Sequence, residues 1–228
     1  MRRLLPEPAD DISVDEAYVA PLGQRSDRPW VGLCMVASID GSTVVGGSSA
    51  GLSSATDAAV LGRLRRVADV IVVGAGTVRD EGYGAPRKPG QRVGVITRTG
   101  KVDVTSELFT SGAGFLITGE DSAVKAPGID IIRAGHDEVD LSAAMAHIAE
   151  LVPSCRFVQA EGGAALNGAL LDADVLDELN LTTSPAAVGG AGPRLATRAS
   201  QHQHRFEIRQ LAVDEQSFLY TRWLRRRD

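Results

Sequence analysis

The apolar positions of this chain change rhythm repeatedly. Trp30 to Ile39 is an unbroken run rich in Val, Leu and Ile, bounded by Pro29 and by Asp40-Gly41, and it predicts a buried strand. Ser53-Ser54 then offers an N-cap with Asp57 in the first turn. Val60, Leu61, Leu64 and Val67 follow on one helical face, with Arg63, Arg65 and Arg66 among them. Further strands are predicted over 69–73, 92–97, 114–118, 129–133, 156–160 and 176–182. A helix capped by Asp140 carries Leu141, Met145, Ile148 and Leu151 and stops at Pro153; another runs from about Ala164 to Leu171. Strands alternating with helices imply parallel pairing through right-handed crossovers. The end of the chain differs: 206–213 and 218–224 alternate apolar with polar about Asp214-Glu215, which predicts an antiparallel hairpin. The expected fold is α/β, with a mixed, mostly parallel sheet, an antiparallel C-terminal hairpin and helices on both faces. Residues 1–29 read as a polar, irregular arm with one short helix, capped by Ser13 and Glu16 and ended before Pro21; residues 30–228 read as a single domain.

Composition narrows the function classes. The 228 residues are 43% hydrophobic and 23% charged, which excludes a disordered or collagen-like chain. A net charge of −5 and 4% aromatic residues argue against a nucleic-acid surface or base-stacking platform. Cys34 and Cys155 each adjoin an apolar run and read as buried free thiols rather than a disulfide. No apolar stretch approaches the roughly 18 residues of a membrane span. No apolar core follows Met1-Arg2-Arg3, so a cytoplasmic protein is expected. His136, His147, His202 and His204 lack the spacing of a metal site, and none is expected.

Ligands of an open α/β sheet bind beyond the carboxyl ends of its strands, and three glycine-bearing segments fall there. Gly74-Ala75-Gly76 follows a strand, but Arg79 occupies the third position of a G-x-G-x-x-G pattern. Glu161-Gly162-Gly163 joins a strand to a helix, where bare amides suit a pyrophosphate or simply form a tight turn. Val188-Gly189-Gly190-Ala191-Gly192 reads as a flexible connection. Asp40, at the end of the first long strand, can hold or protonate a nitrogen heterocycle, or close an Asx turn with Gly41.

Ala-Ser-Ile-Asp-Gly at 37–41, Val-Gly-Ala-Gly-Thr-Val-Arg at 73–79 and Glu-Gly-Gly-x-x-Leu at 161–166 occur in order, followed by Asp177-Glu178-Leu179, Pro185 and Gly189-Gly190. Together they resemble the pyrimidine reductase domain of riboflavin biosynthesis, over roughly residues 30–224. The resemblance implies a dihydrofolate-reductase-like fold, a homodimer and NADPH as cofactor. It implies a hydride passed to the ribose of 5-amino-6-(5-phosphoribosylamino)uracil, opening it to a ribitylamino product. Cofactor contacts map onto Ala37, Gly74, Gly76, Thr77, Thr97, Arg98, Gly162, Gly163, Ala164, Ala165 and Leu166. Arg98, at a strand tip, suits a 2′-phosphate. Asp40 matches the pocket acid, and Ser49, Arg65 and Glu161 match substrate contacts. The zinc deaminase motifs of bifunctional relatives, H-x-E and P-C-x-x-C, are absent from this sequence, so reductase activity alone is expected. After Val78 the relatives' Asp-Asn-Pro gives way to Arg79-Asp80-Glu81-Gly82-Tyr83, and Arg87 or Lys88 stands in for a phosphate-binding arginine. A pterin reductase of the same fold and a non-catalytic NADPH-binding protein are the competing readings. Phe218, Tyr220 and Trp223 on the hairpin offer a dimer surface or ordinary intrachain packing.

Overall fold

Ten strands join in one sheet in the computed structural model, which describes residues 1–227. In chain order the elements are β1 (Arg2–Leu5), α1 (Val14–Ala17), β2 (Trp30–Ser38), α2 (Ala55–Val67), β3 (Val70–Gly74), α3 (Ala75–Glu81), β4 (Arg92–Ile96) and α4 (Glu107–Thr110). Then follow β5 (Gly114–Thr118), β6 (Ile131–Arg133), α5 (Leu141–Leu151), β7 (Phe157–Ala160), α6 (Ala164–Asp172), β8 (Glu178–Ser184), β9 (Arg205–Val213) and β10 (Leu219–Arg226). The spatial order is β1-β9-β10-β8-β2-β7-β3-β4-β5-β6. From β8 across to β6 every neighbouring pair is parallel, whereas β10 pairs antiparallel with β8 and β9, and β9 with β1. The mixed sheet is the one the strand–helix alternation and the terminal hairpin imply.

Period-2 geometry explains why the central strands read as solid apolar runs. Val70 and Val72 of β3 face a layer built from Met145 and Ile148 of α5 and Leu166 and Leu170 of α6. Ile71 and Val73 face the opposite layer, with Val78 of α3 and Leu108 and Phe109 of α4. Over the antiparallel half, Val60 and Leu64 of α2 pack with Tyr18, Cys34 and Tyr220. The predicted caps are present: Ser54 accepts from the Asp57 amide at 3.1 Å, Asp140 from the Ala143 amide at 3.0 Å, and Ser13 and Glu16 form a capping box. Both cysteines are buried and free. Among the described residues no helix is long and apolar enough to cross a membrane.

Three expectations change. The arm is not wholly irregular: Arg2–Leu5 adds an edge strand to β9, four residues whose pairing comes from the partner strand and not from any local alternation. Buried carboxylates of the Asp177-Glu178 pair tie this region down. Arg28 reaches Asp177 at 2.6 Å, while the Leu22 amide donates to Glu178 at 2.6 Å and Arg222 to Glu178 at 2.7 Å. The glycine segment after β3 is a helix, α3, despite the low propensity of Gly76. The hairpin aromatics take up intrachain packing. Phe218 and Tyr220 are buried within the chain and half-buried Trp223 packs on the main core, because the face they occupy lies under α2 or beside the central strands.

Gly168, buried in α6, supports the segment that crosses above it; a Cβ there would overlap the Thr197 carbonyl oxygen. Overpacking against backbone outweighs the better helix propensity of alanine. Gly168→Ala is expected to cost about 2 kcal/mol, a fall of about 4–8 °C in thermal midpoint. An unchanged midpoint would show that the crossing segment relaxes freely.

Candidate active site

A cavity of about 400 Å³ opens beyond the carboxyl ends of β2, β3 and β7, where an open α/β sheet presents its ligand crevice. Cys34, Met35 and Val36 of β2 form its floor. Asp57, Leu61 and Arg65 line one wall; spaced four residues apart on α2, they form a single stripe. Thr77 and Glu81, also four apart on α3, contribute the facing wall with Glu161, Gly163 and Ala164, while Ser49 and Pro193 lie at its margin.

One ion-pair network dominates the interior. Arg65 grips Glu161 with two parallel bonds, Nε to Oε1 at 2.8 Å and Nη2 to Oε2 at 2.6 Å. The Tyr83 hydroxyl donates to Glu161 Oε2 at 2.5 Å and accepts from Arg65 Nη2 at 3.1 Å, and the guanidinium lies 5.1 Å from the centre of the Tyr83 ring. The Glu161 side chain is 5% exposed, so its charge is matched almost entirely by Arg65. Hydrogen bonding to Glu161 holds Arg65 firmly charged, and burial followed by the Glu161 charge pushes the Tyr83 hydroxyl above its ordinary range. Glu81 is exposed overall, but partial desolvation of its carboxyl at the cavity wall and, next, the nearby Glu161 raise it above the usual carboxylate value. Burial lifts the Cys34 thiol, with Asp57 and Glu161 adding to the effect.

Beside this cavity two helix N-termini meet. Gly74 is the N-cap of α3 and Gly163 that of α6, and no side chain caps either. The Gly74 amide donates to the Gly162 carbonyl at 2.8 Å. A Cβ on Gly74 would stand 3.4 Å from that oxygen, and one on Gly163 3.3 Å from Thr77 Oγ1. Gly162 has φ +83°, a conformation that requires glycine, and the Gly162–Gly163 peptide is cis. Gly76, Thr77, Ala164 and Ala165 surround this junction, whereas the Leu166 side chain turns into the core. Ala37 is buried one residue beyond the floor, and Thr97 Oγ1 accepts from the Gly100 amide at 3.0 Å. Arg98 is exposed at the tip of β4 in a separate shallow depression shared with Asp121, Ser122 and Asp137; among the described residues its guanidinium has no partner.

The structure does not bring Asp40 into the cavity. β2 ends at Ser38, and the Ile39 amide pairs with the Ala186 carbonyl, so Asp40 sits exposed in the turn outside the lining. Its carboxylate accepts from Ser38 Oγ at 2.5 Å and from the amides of Val188 at 3.0 Å and Gly189 at 2.7 Å. These bonds, Ser38 foremost, hold its carboxyl far below the usual range. The Val188–Gly192 segment read as a flexible connection is therefore pinned, and the Thr43 amide holds the Pro193 carbonyl at 3.0 Å. Lys88 is also elsewhere: its Nζ donates at 2.7 Å to the Ala68 carbonyl at the C-cap of α2, and neither Lys88 nor Arg87 lines the cavity. Asp57 and Glu81 are cavity carboxylates that the motifs did not single out. Their signal was helical spacing: Asp57 precedes Arg65 by two turns, and Glu81 follows Thr77 by one.

The profile of the RibD C-terminal domain family matches residues 29–220. The riboflavin biosynthesis protein RibD of Chlamydia trachomatis is 30% identical over 183 residues, 72% of this chain and 48% of that protein. The chain thus spans about half the length of that curated relative. Among solved structures, a pyrimidine reductase-like protein from Corynebacterium diphtheriae superposes with a TM-score of 0.75 at 23% identity, covering 89% of this chain and 94% of the other. RibD from Acinetobacter baumannii gives 0.73 at 15% identity over 89% and 59%, and the Rib7 reductase of Saccharomyces cerevisiae 0.70 at 19% over 90% and 93%. The fold is the dihydrofolate-reductase-like fold of RibD reductase domains, and the chain belongs to the RibD C-terminal domain family.

Proposed function

We propose that this chain is an NADPH-dependent reductase of riboflavin biosynthesis acting on a ribosylaminopyrimidine phosphate, with 5-amino-6-(5-phosphoribosylamino)uracil as the reference substrate. One observation carries the reading: a cavity lined by the Glu81 carboxyl adjoins a junction of two uncapped helix N-termini. That junction fits a pyrophosphate, because bare amides and both helix dipoles favour an anion where glycines leave room for it. NADPH, when bound, supplies a hydride.

The proposed conversion adds that hydride to the ribose C1′, breaks the bond from C1′ to the ring oxygen, and gives that oxygen a proton. Glu81, which lines the cavity and whose carboxyl is shifted toward the protonated form by partial desolvation and by Glu161, is the group we assign to deliver the proton. Arg65, Glu161 and Tyr83 lock one another and keep the wall between α2 and β7 rigid. Asp40 acts at one remove, by pinning the loop that carries Pro193 to the rim. Stoichiometric NADPH oxidation with the ribosylaminopyrimidine, and none without it, is the expected outcome. A protein that neither binds NADPH nor turns over any such pyrimidine would remove the reading.

One observation favours a pterin reductase as the second reading. Among the cavity-lining residues Arg65 is the sole cation, and Glu161 already occupies it, while Asp57, Asp80 and Glu81 add negative charge. A ring without a phosphate meets less repulsion there. Parallel assays with dihydropterin separate the two.

Arg98 decides the choice of dinucleotide. Its unpaired guanidinium suits a 2′-phosphate, which the neighbouring Asp121 and Asp137 oppose. Arg98→Ala is expected to weaken NADPH by about 1.5–3 kcal/mol, the size of one charge-assisted contact, and to leave NADH nearly unchanged. Equal wild-type affinities for the two cofactors would assign the depression to its carboxylates instead.

A further inference from the structure

The segment between α3 and β4 grips Arg65 at both of its ends. Gly82 closes α3 with φ +61°, a left-handed turn that favours glycine, and the Tyr83 amide donates back to the Val78 carbonyl at 3.2 Å. The turn sends the Tyr83 side chain across to α2. There its hydroxyl accepts from Arg65 Nη2 and donates to Glu161 Oε2, while its ring lies against the guanidinium. At the far end of the segment, buried Gln91 donates from Nε2 to the carbonyls of Arg65 and Ala68, both at 2.7 Å. These carbonyls belong to the end of α2, where the helix itself supplies no donor. Gln91 therefore fixes the main chain of Arg65, and Tyr83 its side chain.

The guanidinium has one nitrogen to spare. Nε and Nη2 are taken by Glu161, and Nη2 is shared with Tyr83. Nη1 makes no hydrogen bond among the described residues, on a side chain that is 40% exposed and lines the cavity. Two parallel bonds fix the guanidinium to the carboxylate but leave the pair free to swing together on its flexible stems. A third point of attachment, reaching over from the turn after α3, removes that freedom. Tyr83 does not line the cavity, so whatever it does for a ligand it does through Arg65.

We propose that Tyr83 is a positioning residue: it holds Arg65 so that Nη1 presents its N–H donors to an acceptor oxygen of the substrate. The proposal rests on the reductase reading and adds to it a side chain outside the cavity. Glu161 neutralises the charge of Arg65 but leaves these donors in place, so their value to a ligand lies in direction, which only a fixed guanidinium supplies.

Tyr83→Phe keeps the ring against the guanidinium and removes the hydroxyl alone. The full chain is assayed by NADPH oxidation with 5-amino-6-(5-phosphoribosylamino)uracil, with a cofactor titration and a thermal melt on the same preparation. KM for the pyrimidine is expected to rise about 10-fold, with kcat within about threefold and NADPH affinity within about twofold, because a contact made alike in ground and transition states shows in KM. A merely structural tyrosine would instead lower the midpoint, kcat and NADPH affinity together. The second arm is a cycle with Arg65→Lys, which keeps a cation against Glu161. Since Tyr83 acts through the guanidinium, adding Tyr83→Phe to Arg65→Lys is expected to change KM by at most about twofold. An unchanged KM in Tyr83→Phe, the joint loss of a structural residue, or the same rise in both backgrounds overturns the proposal and leaves the reductase reading standing. A wild type that oxidises no NADPH with the pyrimidine overturns both. If Arg65→Lys does not fold or turn over, the KM-against-kcat split in Tyr83→Phe decides.

Discussion

Glu81→Gln is expected to lower turnover by about 10²–10⁴-fold, the usual contribution of a positioned general acid, with NADPH affinity within a few-fold of wild type. Glu81 lies one helical turn beyond Thr77 on the facing wall, and its carboxyl is raised by partial desolvation and by Glu161. The sign for catalysis follows. A step that needs the protonated acid slows as pH rises through its raised value, so the wild-type rate should carry that limb and the glutamine variant should lose it. The sign for stability is opposite to that of a salt-bridged acid. A carboxyl with a raised folded value keeps its proton longer in the folded state, so folding loses stability as pH climbs from the unfolded value upward. Glu81→Gln should therefore melt no lower than wild type at neutral pH. Asp40→Asn is the contrast. Its carboxyl lies outside the cavity and is held ionised by Ser38, Val188 and Gly189. Removing the charge should leave the pH limb in place and alter turnover only through the rim loop. Single-turnover NADPH oxidation across pH on both variants decides. A retained limb in Glu81→Gln together with its loss in Asp40→Asn would reverse the two roles.

Gly163→Val is expected to weaken dinucleotide binding by about 10²-fold or more, roughly 3 kcal/mol, while leaving the fold largely intact. The backbone at Gly163 has φ −75°, which any residue adopts, so the substitution carries no left-handed strain. Its Cβ would stand 3.3 Å from Thr77 Oγ1, and the branched methyls would fill the space between the N-termini of α3 and α6. Gly162 is the less informative probe. Its φ of +83° and the Met35 sulfur 3.2 Å from a Cβ make substitution there a test of folding. Cofactor titration beside a thermal melt on Gly163→Val separates the cases. Normal NADPH binding would make the junction a structural turn and place the pyrophosphate elsewhere.

Much of this protein was legible from one dimension. Apolar runs with β-branched residues located the inner strands because both faces of β3, β4 and β5 are covered, and such strands need no partner to announce themselves. Caps at Ser13, Ser54 and Asp140 are local hydrogen bonds between residues three apart, so the helix starts were equally plain. The glycines at 74, 162 and 163 were read as leaving room for a ligand; the structure shows Gly74 and Gly162 meeting each other, amide to carbonyl, with Gly163 beside them. Arg65 and Glu161 were named individually, but their bidentate pairing across 96 residues of sequence was not. What folding alone decided was direction. Asp40 turns outward because β2 ends two residues earlier, while helical phase buries Asp57 at the cavity and brings the exposed Glu81 to its lining. β1 exists because β9 offers it an edge, and the hairpin aromatics are covered because α2 and the central strands lie against them. A strand's pattern records that a side chain is buried or exposed, but which cavity it faces depends on elements far away in the chain, and that information is carried only by their packing.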